Sequence, residues 1–211
     1  MKSNKVLLSF CSRQAHVFYP AAVMAILLSA GPLSAQFMVQ PVNLAYLSQR
    51  ADVILQGRVT KVSYEPLPGY PNIPSVEITM SVDTWLRGST AKTYTYRELL
   101  FGLNPKMGKK SYGVGQHLLL FLPTPSQYGL SSPIGIGQGR FHITENVGGK
   151  ATIVNEQGNA GLFRNVDKAA SKAGKKLTAS QMRLAATDRG PVPLDDFVSL
   201  VKSLTTLPRI R

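Results

Sequence analysis

Cysteine is almost absent. The chain has one, Cys11, in a leader that the sequence marks for removal. A disulfide framework and an all-cysteine zinc site are therefore excluded. Histidine is scarce too, at three residues, and metal centres usually need three or four convergent ligands. Acidic residues number 11 against 24 basic ones, for a formal net charge of +13 and a pI near 10.0. That balance favours anionic partners without naming one. Charged residues make up only 17% of the chain, below the usual quarter. No apolar run approaches the roughly 20 residues of a bilayer-spanning helix.

What is present first is an address. Lys2, Lys5 and Arg13 form a positive leader with no acidic residue before Asp52. Residues 21–30 are an apolar run, Gly31-Pro32 breaks it, and Leu33-Ser34-Ala35 offers a small residue at its end. This is the layout of a secretory signal peptide over residues 1–35; an uncleaved N-terminal anchor is the alternative. Cleavage near Ala35 leaves a secreted or periplasmic chain with 21 basic and 11 acidic residues, a net +10, with no cysteine and no membrane span.

Gly (18) and Pro (14) are plentiful and suit short strands joined by turns. A short helix is expected from Pro41 to Arg50. The first strand is Val53–Thr60, with Val53, Leu55, Gly57 and Val59 on one face. Gly57 in mid-strand predicts a bulge, a bend or close backbone approach. Glu65–Pro74, with four prolines, reads as a loop. Val76, Ile78, Met80 and Val82 alternate with polar residues in a second strand, and Thr93–Arg97 is a third. Leu100–Gly115 reads as a loop. His117–Leu122 is apolar on both faces, which predicts a central strand covered on both sides. Gly139–Thr144 and Ala151–Val154 read as a hairpin turning at Asn146–Gly149. The composition of Asp167–Lys176 leaves open whether this segment is ordered or disordered. Thr178-Ala179-Ser180-Gln181 has capping-box spacing. A last helix starts at Pro193-Leu194, with Leu194, Phe197, Val198, Val201 and Leu204 as an apolar stripe that docks onto the sheet.

Three segments in order carry a resemblance: Ala51-Asp52-Val53-Ile54-Leu55-Gln56-Gly57-Arg58-Val59, Val82-Asp83-Thr84-Trp85-Leu86-Arg87-Gly88 and Val114-Gly115-Gln116-His117-Leu118-Leu119-Leu120-Phe121-Leu122. Together they resemble a group of uncharacterised exported bacterial proteins and the netrin-like module of tissue inhibitors of metalloproteinases, an OB-type barrel. The resemblance implies a mostly β, OB-like barrel of five or six strands over residues 36–163. A short helix precedes it, and a basic linker with one or two helices follows over residues 164–211. It also implies a binding domain whose unknown protein partner is a protease in the resembled family. The zinc-binding N-terminal cysteine of those inhibitors has no counterpart at Gln36.

No motif for chemistry stands out. Gly135–Arg140 and Gly88–Lys92 lack phosphate-loop spacing and a following helix. Gly129–Pro133 lacks the second glycine of a nucleophile elbow. His142 alternates with Phe141 and Ile143 and is expected to face solvent; His117 opens an apolar strand. Catalytic, cofactor and metal residues are therefore expected to be none. The remaining signal is basic: Lys106, Lys109 and Lys110 on one loop, and Lys168, Lys172, Lys175 and Lys176 near the C-terminus, form a candidate anion-binding surface. Tyr94, Tyr96 and Arg97 would suit base stacking in an OB groove, but export argues against nucleic acid. The expectation is an exported, non-enzymatic domain acting by protein–protein contact. The alternatives are an electrostatic binder of anionic envelope polymer or lipid, and a hydrolase with a spatially assembled site. The processing step has a direct check: Edman or mass-spectrometric sequencing of the exported protein is expected to start at Gln36, and a start at Met1 would refute cleavage.

Overall fold

The structure, a computed structural model, describes residues 40–100, 112–146 and 148–209. The chain from Val39 to Arg211 forms one compact unit. The signal-peptide expectation falls outside the described residues.

Seven strands form one antiparallel sheet in the order β3-β2-β1-β4-β5-β6-β7. They are β1 (Val53–Leu67), β2 (Tyr70–Arg87), β3 (Thr93–Leu99), β4 (His117–Leu122), β5 (Arg140–Glu145), β6 (Ala151–Asn155) and β7 (Val192–Pro193). Among the described residues four helices accompany them: α1 (Leu44–Arg50), α2 (Val166–Lys172), α3 (Ala179–Ala185) and α4 (Leu194–Leu204). The fold is mostly β, as the alternating patterns predict. The described pairings leave β3 and β7 as the two edges of an open sheet.

Each face of the sheet carries a buried cluster. On one face Ile54, Leu119, Phe121, Phe141, Ile143 and Ile153 pack with the helices, through Leu44 and Leu47 of α1, Val166 of α2, and Phe197, Leu200, Val201 and Leu204 of α4. Aromatic contacts run from Phe121 to Phe141 (5.6 Å between centroids), on to Phe197 (5.0 Å) and then to Phe163 (6.4 Å). The expected docking of α4 is thus observed, with Leu200 added to its stripe. On the other face Leu55, Val59, Val76, Ile78, Met80, Leu118, Leu120 and Leu122 form a second core. β4 supplies Leu119 and Phe121 to one core and Leu118, Leu120 and Leu122 to the other, as its continuous apolar run predicts.

The pairing of β1 with β2 carries successive register shifts, one of them between Gln56 and Gly57. A Cβ at Gly57 would lie 2.1 Å from the Ser81 carbonyl oxygen. The mid-strand glycine therefore marks close backbone approach, as expected. Arg87 ties the end of β2 to two helix C-termini. Its guanidinium donates to the carbonyls of Ser48 (2.5 Å), Ala51 (2.8 Å) and Thr205 (2.6 Å). These carbonyls lack intrahelical partners and carry the negative end of each helix dipole.

One expectation is overturned and one open point is decided. Glu65–Pro74 is not a loop: β1 and β2 continue through it as a hairpin, pairing Glu65 with Ser75 and Pro66 with Pro74. Neither β4 nor β3 pairs with this tip, so each strand has a free edge where proline needs no donor. Pro68-Gly69 makes the turn, with Gly69 at φ +81°. Asp167–Lys176 is also structured. Val166 and Ala170 are buried along one side of α2, and burying two small apolar residues on one stripe is enough to seat a two-turn helix against the core. The capping box of α3 forms as its spacing predicts, with Thr178 accepting from Gln181 N and Gln181 accepting from Thr178 N.

Gly57→Ala is expected to destabilise the protein by about 3 kcal/mol, because the added methyl group meets backbone that must shift. Urea denaturation of the variant checks this, and a change below about 0.5 kcal/mol would refute the close-approach account.

Candidate functional site

The second core carries the densest chemistry. On β3, Tyr94, Tyr96 and Glu98 point to the same face as Val76, Ile78 and Met80 on β2. On β5, Arg140 and His142 pair with Leu120 and Leu118 and share that face. Tyr112, just before β4, joins the two sides. Its hydroxyl donates to Glu98, its ring lies 6.1 Å from that of Tyr96, and the Arg140 guanidinium stacks 4.5 Å above it. Arg140 also pairs with Glu156. Arg140 is only 6% exposed and Tyr112 5%.

This low-dielectric setting shifts Glu98, Tyr112, Tyr96, Arg140 and His142. Burial raises Glu98, against the opposing pull of Tyr112 and Arg140. Burial and then Glu98 drive Tyr112 far above the usual phenol value, and Tyr96 rises well for the same first reason. Burial opposes the charge on Arg140, yet facing Tyr112 and Glu156 outweigh it and raise its pKa. Burial, then Arg140, lowers His142. The expectation that His142 faces solvent is thus corrected. His142 is half-buried because the start of β5 is covered on both faces, with Arg140 and Phe141 buried on opposite sides.

A second polar group lies on the opposite face, at the start of β4. His117 Nε2 is 3.2 Å from Asp83 Oδ2 and 3.1 Å from Gln56 Nε2, and Nδ1 is 3.3 Å from Glu145 Oε1. Arg58 pairs with the same Glu145 and holds that carboxylate below its usual pKa. The group ties β1, β2, β4 and β5 together by side chains. Among the described residues, no three His, Cys, Asp or Glu side chains converge for a metal.

The third feature is the hairpin tip. Tyr70 is 43% exposed and Ile73 38%. Tyr128, from the loop after β4, is 52% exposed and stacks edge-on against Tyr70 at 5.8 Å. Beside them a shallow groove of about 380 Å³ is lined by Tyr64, Pro66, Pro71, Pro74 and Leu100 among others.

Of the expected basic surface, Lys168 and Lys172 sit on the exposed side of α2, and Lys175 and Lys176 follow it, also exposed. Lys106, Lys109 and Lys110 lie outside the described residues. Tyr94, Tyr96 and Arg97 do not assemble into a stacking platform. Tyr96 is buried, Tyr94 packs against Tyr96 and Trp85, and Arg97 is held by Glu77 and Ser75. Arg140 and Glu98 were missed by sequence reasoning. A lone arginine after a glycine-rich turn looks like any surface arginine, and only its place opposite Leu120 reveals its burial.

Among the described residues no helix is long and apolar enough to cross a membrane. Comparison with protein-family models, with curated proteins and with solved structures finds no match for this chain.

Arg140→Met is expected to cost about 3 kcal/mol or more, because Glu98 and Tyr112 lose a buried cation. Arg140→Lys is expected to recover less than half of that loss, since an ammonium cannot both stack on the ring and fork to Glu156. Chemical denaturation of the two variants tests this, and full rescue by Lys would show that charge alone matters there.

Proposed function

We propose that this chain is an exported, non-enzymatic binding module acting by protein–protein contact, built on an OB-like barrel and presenting the β1–β2 hairpin tip to its partner. The barrel reading draws support from the second core, whose apolar residues on β1, β2 and β4 are shielded although the pairings stay open. It draws further support from the Ser131 N–H, which donates to the Arg97 carbonyl (2.8 Å) on the outer edge of β3. One observation carries the contact reading: Tyr70, Ile73 and Tyr128 stand exposed together beside an apolar groove. Tyrosine gives large contact area at low entropic cost and is enriched among the residues that dominate binding energy. The low count of charged groups at the tip favours a contact that salt does not disrupt. The shape suits a partner presenting an extended segment with an apolar side chain for the groove, and the resembled family makes a protease the first class to test. The buried position of Tyr96 and the occupied Arg97 argue against nucleic acid as the partner.

Affinity capture from the native envelope and culture supernatant, with residues 39–211 as bait, tests the proposal. One protein retained at about 0.5 M salt is expected, because little of the contact is ionic. Y70S/Y128S is expected to weaken that capture by about 30-fold. A partner released by salt, or held equally by the variant, would overturn the hairpin as the contact.

A further inference from the structure

The ionic groups of this protein divide by residue type. Every ion pair among the described residues uses arginine or histidine as its cation: Arg58, Arg97, Arg140, Arg189, Arg209 and His117. No lysine takes part. Four exposed lysines gather within nine residues, Lys168 to Lys176, where the only acid is Asp167 just before them.

Structure fixes these lysines. Val166 and Ala170 pin one side of α2 into the core, and Lys168 and Lys172, four residues apart, occupy the exposed side. The helix ends in a Schellman turn, in which Lys175 N–H donates to the Ala170 carbonyl (2.9 Å) and Gly174 N–H to that of Ser171 (2.9 Å). The ammonium groups of Lys175 and Lys176 thus emerge directly from an ordered helix end. The apolar side of α2 is already committed to the protein's own core, which leaves none of it to enter a hydrocarbon layer.

We propose that the Lys168–Lys176 ridge is a peripheral docking site for an anionic lipid bilayer surface, held by charge alone. Lysine clusters of this size adsorb to anionic headgroups without inserting. Ammonium groups suit such a surface because each acts as a mobile point charge, whereas the arginines here are used for fixed, directional pairs. The proposal is independent of the hairpin contact and uses a different part of the chain.

The test is co-sedimentation of residues 39–211 with phosphatidylcholine vesicles, with and without phosphatidylglycerol. Binding to the anionic vesicles alone, with release at about 0.5 M salt, is expected. K168Q/K172Q/K175Q/K176Q is expected to lower the partition by about fivefold per lysine, two to three decades in all. K61Q/K92Q/K150Q/K202Q removes the same net charge from exposed lysines elsewhere and is expected to change it by only severalfold. Far-ultraviolet circular dichroism establishes that both variants fold. Equal losses in the two variants would overturn the ridge in favour of net charge alone. Binding to soluble polyphosphate without binding to vesicles would overturn the bilayer as the ligand, and binding that survives salt would overturn the electrostatic basis.

Discussion

The structure depends on one constraint: β4 must be dry on both faces. β4 places three leucines in one core and Leu119 with Phe121 in the other, and β1 divides Ile54 from Leu55 and Val59 in the same way. Burial on this scale is the dominant favourable term in folding, and two covers are needed to achieve it. The helices provide one. The other comes from the sheet's own strands, with Tyr112 and Arg140 reaching across from the loop before β4 and from β5. Gly57 lets the Ser81 carbonyl of β2 come close at one of the register shifts between β1 and β2.

Polar groups follow from that division. Where the second core meets the ends of β3 and β5, charge enters it, and Arg140 is compensated there by Tyr112, Glu98 and Glu156. Such a group is costly to break and specifies which strands face one another. On the helical face, Arg87 gathers the carbonyl ends of α1 and α4. Arginine serves both places because its planar fork satisfies several acceptors from one side chain. The described lysines are all left exposed to solvent.

The three segments that carry the family resemblance are largely accounted for by architecture. Asp52 accepts from the Thr124 N–H (2.7 Å) and pairs with Arg209. Gly57 permits the close approach of β2. Trp85 donates to the Ala91 carbonyl (2.7 Å) across the turn after β2, and Arg87 clamps two helices. These residues hold the sheet and its helices together, so they speak to the fold. The exposed hairpin tip and the lysine ridge lie outside all three segments.

Local rules were enough for much of this chain. Period-two alternation located β2, β-branched and aromatic content located β3, a continuous apolar run marked β4 as central, and capping-box spacing placed the start of α3. Each of these depends on near neighbours in sequence. Four proline positions concealed the hairpin tip, because proline's tolerance there comes from the lack of a second neighbouring strand, which no local pattern records. The Pro68-Gly69 pair was its one legible signal. α2 was hidden because two buried small residues are a weak pattern among lysines. Arg140 and His142 were assigned to solvent or overlooked because alternation names two faces without saying which is wet. Which face is dry, which charges are compensated and which lysines stay free are set by contacts between segments far apart in sequence, and for that reason tertiary structure alone decided them.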